Sequence, residues 1–170
     1  MNAEYFTLGT PDGPFTVIAT EDGEVLASGW TDSVKELASG IHYTLSPVVL
    51  TEGAPRAEIR DAVDAYYAGD LDAVADIPVL QKSGPFRQHA WDILRQVGAG
   101  DTISYTEFAE RSGNPKAVRA VASACANNSA ALFVPCHRIV RTDGTLGGFR
   151  WGLPIKERLL KREAEIQAAG

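Results

Sequence analysis

The residues with the clearest capacity for chemistry are contiguous, at positions 135–138, where the sequence reads Pro-Cys-His-Arg. The thiol of Cys136 is followed by the imidazole of His137 and the guanidinium of Arg138. Positive neighbours lower the pKa of a thiol and raise the fraction of thiolate, which is the form that attacks electrophiles. These residue types suit a nucleophilic Cys136 assisted by His137, but most free cysteines are only small buried apolar groups, so both interpretations stay open on the dipeptide alone.

The segment before this cluster, residues 132–134, reads Leu-Phe-Val and predicts a buried strand. Neighbouring side chains on a regular strand point to opposite faces, so contact between Cys136 and His137 requires a local turn or a bridging water. Pro135 favours such an irregularity. The second cysteine, Cys125, lies among small residues without a charged neighbour, and we predict that it is only a small buried apolar group.

The composition is that of an ordinary globular protein. The chain has 170 residues, of which 45% are hydrophobic, and this is enough to bury a core. Its two cysteines and three scattered histidines indicate neither a disulfide framework nor a zinc site, so we expect no metal and no cofactor. The start lacks a targeting signal and no run is long enough to span a bilayer. We therefore expect a soluble, cytoplasmic protein with reduced thiols and no membrane partner.

Charge is segregated along the chain. Residues 1–83 carry four Lys and Arg against fourteen Asp and Glu, a net charge of −10. Residues 84–170 carry twelve against eight, a net charge of +4, so that the whole chain has −6. This asymmetry predicts that only the second half meets a polyanion such as nucleic acid. Candidate phosphate contacts in that half are Arg87, Arg95, Lys116, Arg138, Arg141 and Arg150.

The first half has the pattern of a small α+β unit. Residues 5–8, 15–20 and 25–30 are short β-branched and aromatic runs separated by turn residues, which predicts an antiparallel meander. Residues 56–68 place apolar side chains at helical spacing and stop at Gly69. Residues 69–85 predict a linker, with the domain boundary near Ser83.

The second half predicts three helices before the cysteine cluster. Residues 86–97 are amphipathic, and the sequence that begins at Ser104 and reaches Glu107 has the form of a capping box for a short helix that closes at Gly113. Asn and Pro at 114–115 predict the start of a third helix over 116–126. The last two helices and their tight turn predict a helix-turn-helix. The third helix carries almost only small side chains, which suits close approach to a groove.

Several motifs of the second half occur together in the order and spacing of one family. They cover residues 103–105 (Ile-Ser-Tyr), 113–121 (Gly-Asn-Pro-Lys-Ala-Val-Arg-Ala-Val), 127–128 (Asn-Asn), 134–140 (Val-Pro-Cys-His-Arg-Ile-Val) and 144–163. The segment from about residue 86 to residue 163 thereby resembles the O6-alkylguanine-DNA alkyltransferases, also called methylated-DNA-protein-cysteine methyltransferases. The first half resembles the family's N-terminal domain only loosely.

The resemblance implies an α+β protein of two domains. Residues 1–83 would form a small ribonuclease-H-like domain with a linker. Residues 84–170 would form a helical, winged helix-turn-helix-like domain that binds DNA and carries the alkyl acceptor.

The resemblance also implies a role for each site residue. Cys136 would accept the alkyl group, His137 would take its proton through a water, and Glu163 would orient His137. Asn128 would tie the acceptor strand to the end of the DNA-binding helix, and Tyr105 would donate toward guanine N3. Arg119 would fill the gap left by an extruded nucleotide. Further contacts to DNA would come from Lys116, Ala117, Ala120 and Ser104.

The implied activity is direct repair of O6-alkylguanine, and of O4-alkylthymine, in double-stranded DNA. The damaged nucleotide would be flipped out and its alkyl group transferred irreversibly to Cys136, once per molecule. The expected partner is therefore alkylated duplex DNA, bound by a monomer, with cooperative binding left open.

Two other classes of protein remain open on the residues alone. A helix-turn-helix regulator could use Cys136 as a redox or alkylation sensor, but it would need several polar groove-reading side chains on its third helix. A thiol hydrolase could use a Cys-His-Glu relay, but it would need an oxyanion hole. Turnover on an ester or peptide would distinguish the hydrolase.

Overall fold

A computed structural model describes residues 1–53 and 56–170 of the chain. Two compact units are present. The first unit comprises Met1–Lys82 together with Ser129–Phe133, and the second comprises Ser83–Asn128 together with Val134–Gly170. The five residues Ser129–Phe133 are an exception to the simple two-part division drawn from the sequence. Within the described residues, no helix has the length and apolar character needed to cross a membrane.

The first unit is built on a four-stranded sheet. Strands β1 (Asn2–Thr10), β2 (Gly13–Thr20) and β3 (Val25–Gly29) form the antiparallel meander that the turn residues predicted, and β4 (Val49–Glu52) pairs in parallel with β1. The strand order is β3-β2-β1-β4. Sequence analysis missed β4 because it has only four residues and two of them are polar.

Two helices accompany this sheet. Helix α1 (Val34–Ala38) is short and was not predicted, whereas α2 (Ala57–Tyr67) agrees with the predicted helix 56–68. Helix α2 buries Ile59, Val63 and Tyr66 on one face. This spacing of four and three residues is the period of an amphipathic helix, and it explains why the prediction held.

Residues 129–133 lie along β3 within the first unit. The Ser28 amide donates to the Ser129 carbonyl at 2.8 Å, and the Ser28 hydroxyl donates to the Ala131 carbonyl at 2.7 Å. Residues 132 and 133 then form a turn, in which Leu132 has a φ of 76°. The predicted strand over 132–134 is therefore wrong. Its residues are apolar because the turn is buried, and burial alone does not make a strand.

The second unit is mainly helical. It contains α3 (Pro85–Leu94), α4 (Tyr105–Arg111), α5 (Val118–Ala126) and α6 (Leu153–Ala169), and α3, α4 and α5 contact one another. Strands β5 (Ile103–Ser104) and β6 (Ile139–Val140) form a short parallel pair. Leu94, Phe108 and Val121 are fully buried, one from each of the three contacting helices. With the first unit, this confirms the predicted α+β class.

Helices α4 and α5 begin differently. The Ser104 hydroxyl accepts a hydrogen bond from the Glu107 amide at 3.0 Å, so the predicted cap of α4 is confirmed. The predicted start of α5 at residue 116 is wrong, since the helix begins at Val118. Asn114 uses its side chain to accept from the Lys116 amide at 3.0 Å, and this closes a turn before the helix.

Candidate active site

Cys136 lies on a single turn of 3-10 helix, Cys136–Arg138. The Cys136 amide donates to the Val134 carbonyl at 2.8 Å, and the Arg138 amide donates to the Pro135 carbonyl at 3.0 Å. Pro135, with φ −81° and ψ 64°, immediately precedes this turn. The local turn that the sequence analysis required for cooperation between Cys136 and His137 is therefore present.

His137 and Glu163 form a buried pair. Both residues are 0% exposed, and His137 Nε2 lies 2.8 Å from Glu163 Oε2. The other ring nitrogen, Nδ1, is buried and has no hydrogen-bond partner among the described residues. A carboxylate at Nε2 selects the tautomer that carries its proton there, which leaves Nδ1 as a proton acceptor.

Arg138 supports this pair from the other side of the carboxylate. Its Nε donates to Glu163 Oε1 at 2.8 Å, and Nη2 donates to Glu163 Oε2 at 3.2 Å. Its Nη1 donates to the Val97 carbonyl at 2.7 Å. Arg138 is 6% exposed, so its assignment as a candidate phosphate contact is wrong. The sequence could not reveal this because the partners are 25 and 41 residues away.

The pair is held as neutral imidazole and carboxylate. Burial lowers the pKa of His137 below its usual range, and this effect outweighs that of Glu163, which raises it. Burial alone would raise the pKa of Glu163, but His137 and Arg138 outweigh it and keep that pKa well below the usual range. His137 is therefore unprotonated near neutral pH and ready to take a proton.

Cys136 is buried, and this burial raises the pKa of its thiol. A hydrogen bond from the Asn128 side chain and the charge of Lys156 act in the opposite direction without reversing the shift. The sequence analysis expected positive neighbours to lower this pKa, and that expectation is wrong. Thiolate formation at Cys136 consequently depends on a base.

Lys156 is a functional candidate that the sequence analysis did not assign. It is 0% exposed, and its Nζ donates to the carbonyls of Ile139 at 2.7 Å and Gly148 at 3.3 Å. A signal was present in the sequence, since Lys156 and Glu163 share one face of α6 with the apolar Leu159. Charged residues at core positions of a helix indicate a buried polar role.

A cavity of about 190 Å3 opens beside the thiol. The residues that line it are Tyr105, Ala122, Cys125, Ala126, Cys136, Gly148 and Phe149. Burial, with a contribution from the nearby cysteines, raises the pKa of Tyr105 to about 12, so its hydroxyl stays protonated as a donor. Cys125 lies on the wall of this cavity and is half-buried, so it is less buried than the sequence predicted.

Asn128 lies two residues after the end of α5 and reaches the segment that carries Cys136. Its Nδ2 donates to the Val134 carbonyl at 2.8 Å, two residues before Cys136. Asn128 is 5% exposed. One side chain therefore joins the end of α5 to the segment that carries the thiol.

The residues expected to contact DNA differ in their accessibility. Lys116, Arg119 and Ala120 are exposed, and Ala117 is half-buried. Ser104 is half-buried and caps α4. Among the other cations, Arg141 and Arg150 are exposed, whereas Arg87 donates to the Ser123 hydroxyl at 2.7 Å. No cluster of three or more His, Cys, Asp and Glu side chains able to hold a metal occurs in the part of the chain described.

Comparison with known proteins identifies relatives of the whole chain. Residues 85–165 match the family "6-O-methylguanine DNA methyltransferase, DNA binding domain". The chain is 51% identical over 94 residues to the "Bifunctional transcriptional activator/DNA repair enzyme Ada" of Escherichia coli, with 55% of this chain and 27% of that protein covered. It is 31% identical over 161 residues to a methylated-DNA–protein-cysteine methyltransferase of Shigella flexneri, with 94% of both chains covered.

The chain belongs to the methylated-DNA–protein-cysteine methyltransferase family. The fold agrees, since the solved structure of Mycobacterium tuberculosis OGT in complex with DNA has a TM-score of 0.78 at 29% identity, with 96% of this chain and 94% of that chain covered. The match covers only about a quarter of the length of the Escherichia coli Ada protein, which is a much longer relative. It covers nearly all of the Shigella flexneri relative.

Proposed function

We propose that this protein repairs O6-alkylguanine, and O4-alkylthymine, in double-stranded DNA by moving the alkyl group irreversibly onto Cys136. The observation that carries the proposal is the site itself: Cys136 lines a cavity, and the next residue is a buried His137 paired with Glu163 at 2.8 Å. Family membership supports the reaction class, and the DNA-bound Mycobacterium relative supports DNA as partner.

The proton of the thiol leaves through His137. Nδ1 takes it by way of a bridging water, because this nitrogen is buried without a protein partner while Nε2 is committed to Glu163. Glu163 stabilises the imidazolium that forms, and Arg138 fixes Glu163 in place. This is the orienting logic of a catalytic triad applied to a thiol.

Transfer breaks the bond between the alkyl carbon and guanine O6 and forms a thioether at Cys136. The electron pair stays on the base, where negative charge develops. Tyr105 lines the same cavity and donates its hydroxyl toward guanine N3. Asn128 stabilises the thiolate and holds the acceptor segment against the end of α5.

The exposed face of α5 brings the duplex to this cavity. Ala117 and Ala120 allow the helix to approach the minor groove closely, and Arg119 fills the place of the nucleotide that is rotated out. Extrusion costs roughly a few kcal/mol, and an inserted side chain offsets part of that cost. Lys116 and Ser104 bind the DNA backbone, so affinity depends on phosphates more than on sequence.

Each unit has its own fold, and the second unit carries both DNA binding and alkyl transfer. The first is a ribonuclease-H-like domain, and the second is a winged helix-turn-helix domain that binds DNA and holds the acceptor. The protein acts as a cytoplasmic monomer and requires no cofactor or metal, since the thiolate itself supplies the nucleophile.

Intact-mass analysis after mixing with a duplex that contains O6-methylguanine tests the proposal. One methyl group should be added per protein and should map to Cys136. Cys136→Ala should add none yet bind the duplex within a few-fold of the unchanged protein. Methylation of the Cys136→Ala protein, or of Cys125 in the unchanged protein, would overturn the assignment.

A further inference from the structure

Two thiols line the cavity beside Cys136, which we call the alkyl cavity because the proposed function places the alkyl group there. Cys125 reaches it from α5, on the same helical face as Ala122, and Cys136 reaches it from the 3-10 turn. This cavity has a volume of about 190 Å3. Both cysteines are free. A small group attached to the sulfur of one cysteine therefore lies in a cavity that the other cysteine also lines.

The charges near Cys125 come from the same site. Burial raises the pKa of Cys125, the charge of Cys136 raises it further, and Lys156 lowers it. Lys156 likewise lowers the pKa of Cys136. Alkylation of Cys136 prevents a thiolate from forming there, so Lys156 is then the charge that acts on Cys125 against the effect of burial.

We infer that Cys125 is a second nucleophile, which captures the far end of a bifunctional two-carbon alkyl group after Cys136 has accepted the near end. The substrate class is a guanine whose O6 carries an ethyl group with a leaving group, such as a halide, on its second carbon. The inference rests on the proposed function of Cys136. Its product is an ethylene bridge between the two sulfurs.

Each step balances. In the first, Cys136 forms a carbon–sulfur bond, the bond from carbon to O6 breaks with its electron pair on guanine, and the thiol proton passes to His137. In the second, Cys125 forms a bond to the other carbon, the halide leaves with its electron pair, and the Cys125 proton goes to solvent. The net result is loss of one hydrogen halide, with the halide from the 2-haloethyl thioether and the proton from the Cys125 thiol. That thioether would otherwise alkylate water or the bound DNA.

The order of attack follows from the site. Cys136 has the His137–Glu163 pair to take its proton, whereas Cys125 lies on α5 with only Lys156 to favour its thiolate. Cys136 therefore reacts first, with any alkylating group. Cys125 reacts only when the group already held in the cavity presents a second electrophilic carbon.

The probe for this inference is 1,2-dibromoethane, with the one-ended reagent bromoethane as control. The two cysteines fall in one tryptic peptide, residues 120–138, because no Lys or Arg lies between Arg119 and Arg138. In the unchanged protein, dibromoethane should yield this peptide with an ethylene bridge, and both thiols should be lost to a thiol reagent added after unfolding. Bromoethane should leave one thiol free. With Cys125→Ser and Cys125→Ala, the dibromoethane adduct should end as a 2-hydroxyethyl thioether on Cys136.

A parallel reaction with the O6-methylguanine duplex separates this inference from the proposed function. Methylation of Cys136 without a bridge from dibromoethane, with one or both thiols still free, would contradict only the role of Cys125. Absence of methyl transfer would contradict the proposed function whatever dibromoethane does. A bridge that forms equally fast in protein unfolded by urea would also overturn the inference, because the cavity would not be directing it.

Discussion

At the scale of single residues, the site combines a thiol that is difficult to ionise with a base that is easy to keep neutral. Burial raises the pKa of Cys136 and lowers that of His137. Both shifts have one cause, since a buried site disfavours every uncompensated charge. We therefore expect the proton to move between the two groups during the reaction rather than before it.

The first prediction concerns this proton transfer. His137→Ala should slow alkyl transfer by roughly 100-fold near neutral pH, because general bases contribute on that order. Raising the pH toward the pKa of the buried thiol should restore part of the rate, since hydroxide then performs the deprotonation. Single-turnover rates measured from about pH 6 to pH 10 would show it. The exposed His89→Ala is the matched control and should follow the unchanged profile. Equal slowing at every pH would indicate that His137 acts only structurally.

The second prediction compares two arginine–glutamate pairs. Arg138→Met leaves Glu163 buried without its guanidinium partner and should lower the free energy of unfolding by about 3 to 5 kcal/mol. Arg111→Met breaks the exposed pair with Glu107, 2.7 Å apart, and should cost less than about 1 kcal/mol. Urea denaturation measures both. Similar losses would mean that burial of Glu163 does not determine the strength of its pair.

At the scale of secondary-structure elements, α5 carries residues of two kinds. Ala122 and Cys125 lie on the wall of the cavity beside Cys136, whereas Arg119 and Ala120 are exposed. Because successive residues of a helix are about 100° apart, Arg119 lies only about 60° around the helix axis from Ala122. We therefore expect α5 to connect DNA binding with the shape of the cavity.

The third prediction tests the exposed face of α5. Arg119→Ala should slow repair of O6-methylguanine in a duplex more than reaction with the free base, because only the duplex has a stack that must be kept open. Transfer rates on the two substrates give the comparison. Arg111→Ala, on the neighbouring α4, is the matched control and should affect neither. Equal losses on both substrates for Arg119→Ala would remove its role in extrusion.

The fourth prediction concerns the turn before α5. Lys116→Ala should make the plot of log affinity against log salt shallower by about one unit, the value expected for one neutralised phosphate. Fluorescence anisotropy with a labelled duplex at several salt concentrations measures the slope. Lys35→Ala, in α1 of the first unit, should leave it unchanged. If Lys116→Ala leaves the slope unchanged, Lys116 does not contact a phosphate, and another cation must make that contact.

At the scale of the whole molecule, the reaction is expected to consume the protein. The thioether on Cys136 has no good leaving group, and no described residue beside it offers chemistry to remove an alkyl group. The adduct also replaces the buried thiol, which receives a hydrogen bond from Asn128, by a bulkier thioether. Disturbing a buried hydrogen bond costs on the order of 1 to 3 kcal/mol.

The fifth prediction follows from that product. Methyl transfer should show a burst equal to the amount of protein, with no steady state, and the methylated protein should melt at a lower temperature than the fresh protein. Quantified product and scanning calorimetry measure the two effects. The Cys136→Ala protein, incubated with the same duplex, controls for bound DNA and should show neither. Recovery of free Cys136 thiol after several repair events per molecule would exclude the mechanism.

The sequence by itself determined the features that depend on near neighbours. The turn residues around β1 to β3, the Ser104 cap of α4 and the apolar period of α2 are local signals, and each produced the expected element. The Pro-Cys-His-Arg cluster likewise made Cys136 a candidate nucleophile, because a thiol, an imidazole and a guanidinium group are adjacent in the sequence. The start of α5 is the local exception, since Asn114 can close a turn as readily as cap a helix.

Only the tertiary structure decided which environment each side chain occupies. Arg138 was predicted as a candidate phosphate contact and is buried against Glu163. Cys125 was predicted as a small buried apolar group and lines the cavity beside Cys136. Lys156, with no assigned role, is buried beneath two backbone carbonyls. The pKa of Cys136 rises where its neighbours alone predicted a fall. The physical reason is common to all four, because burial and electrostatic partners come from residues far apart in the chain and no local pattern records them.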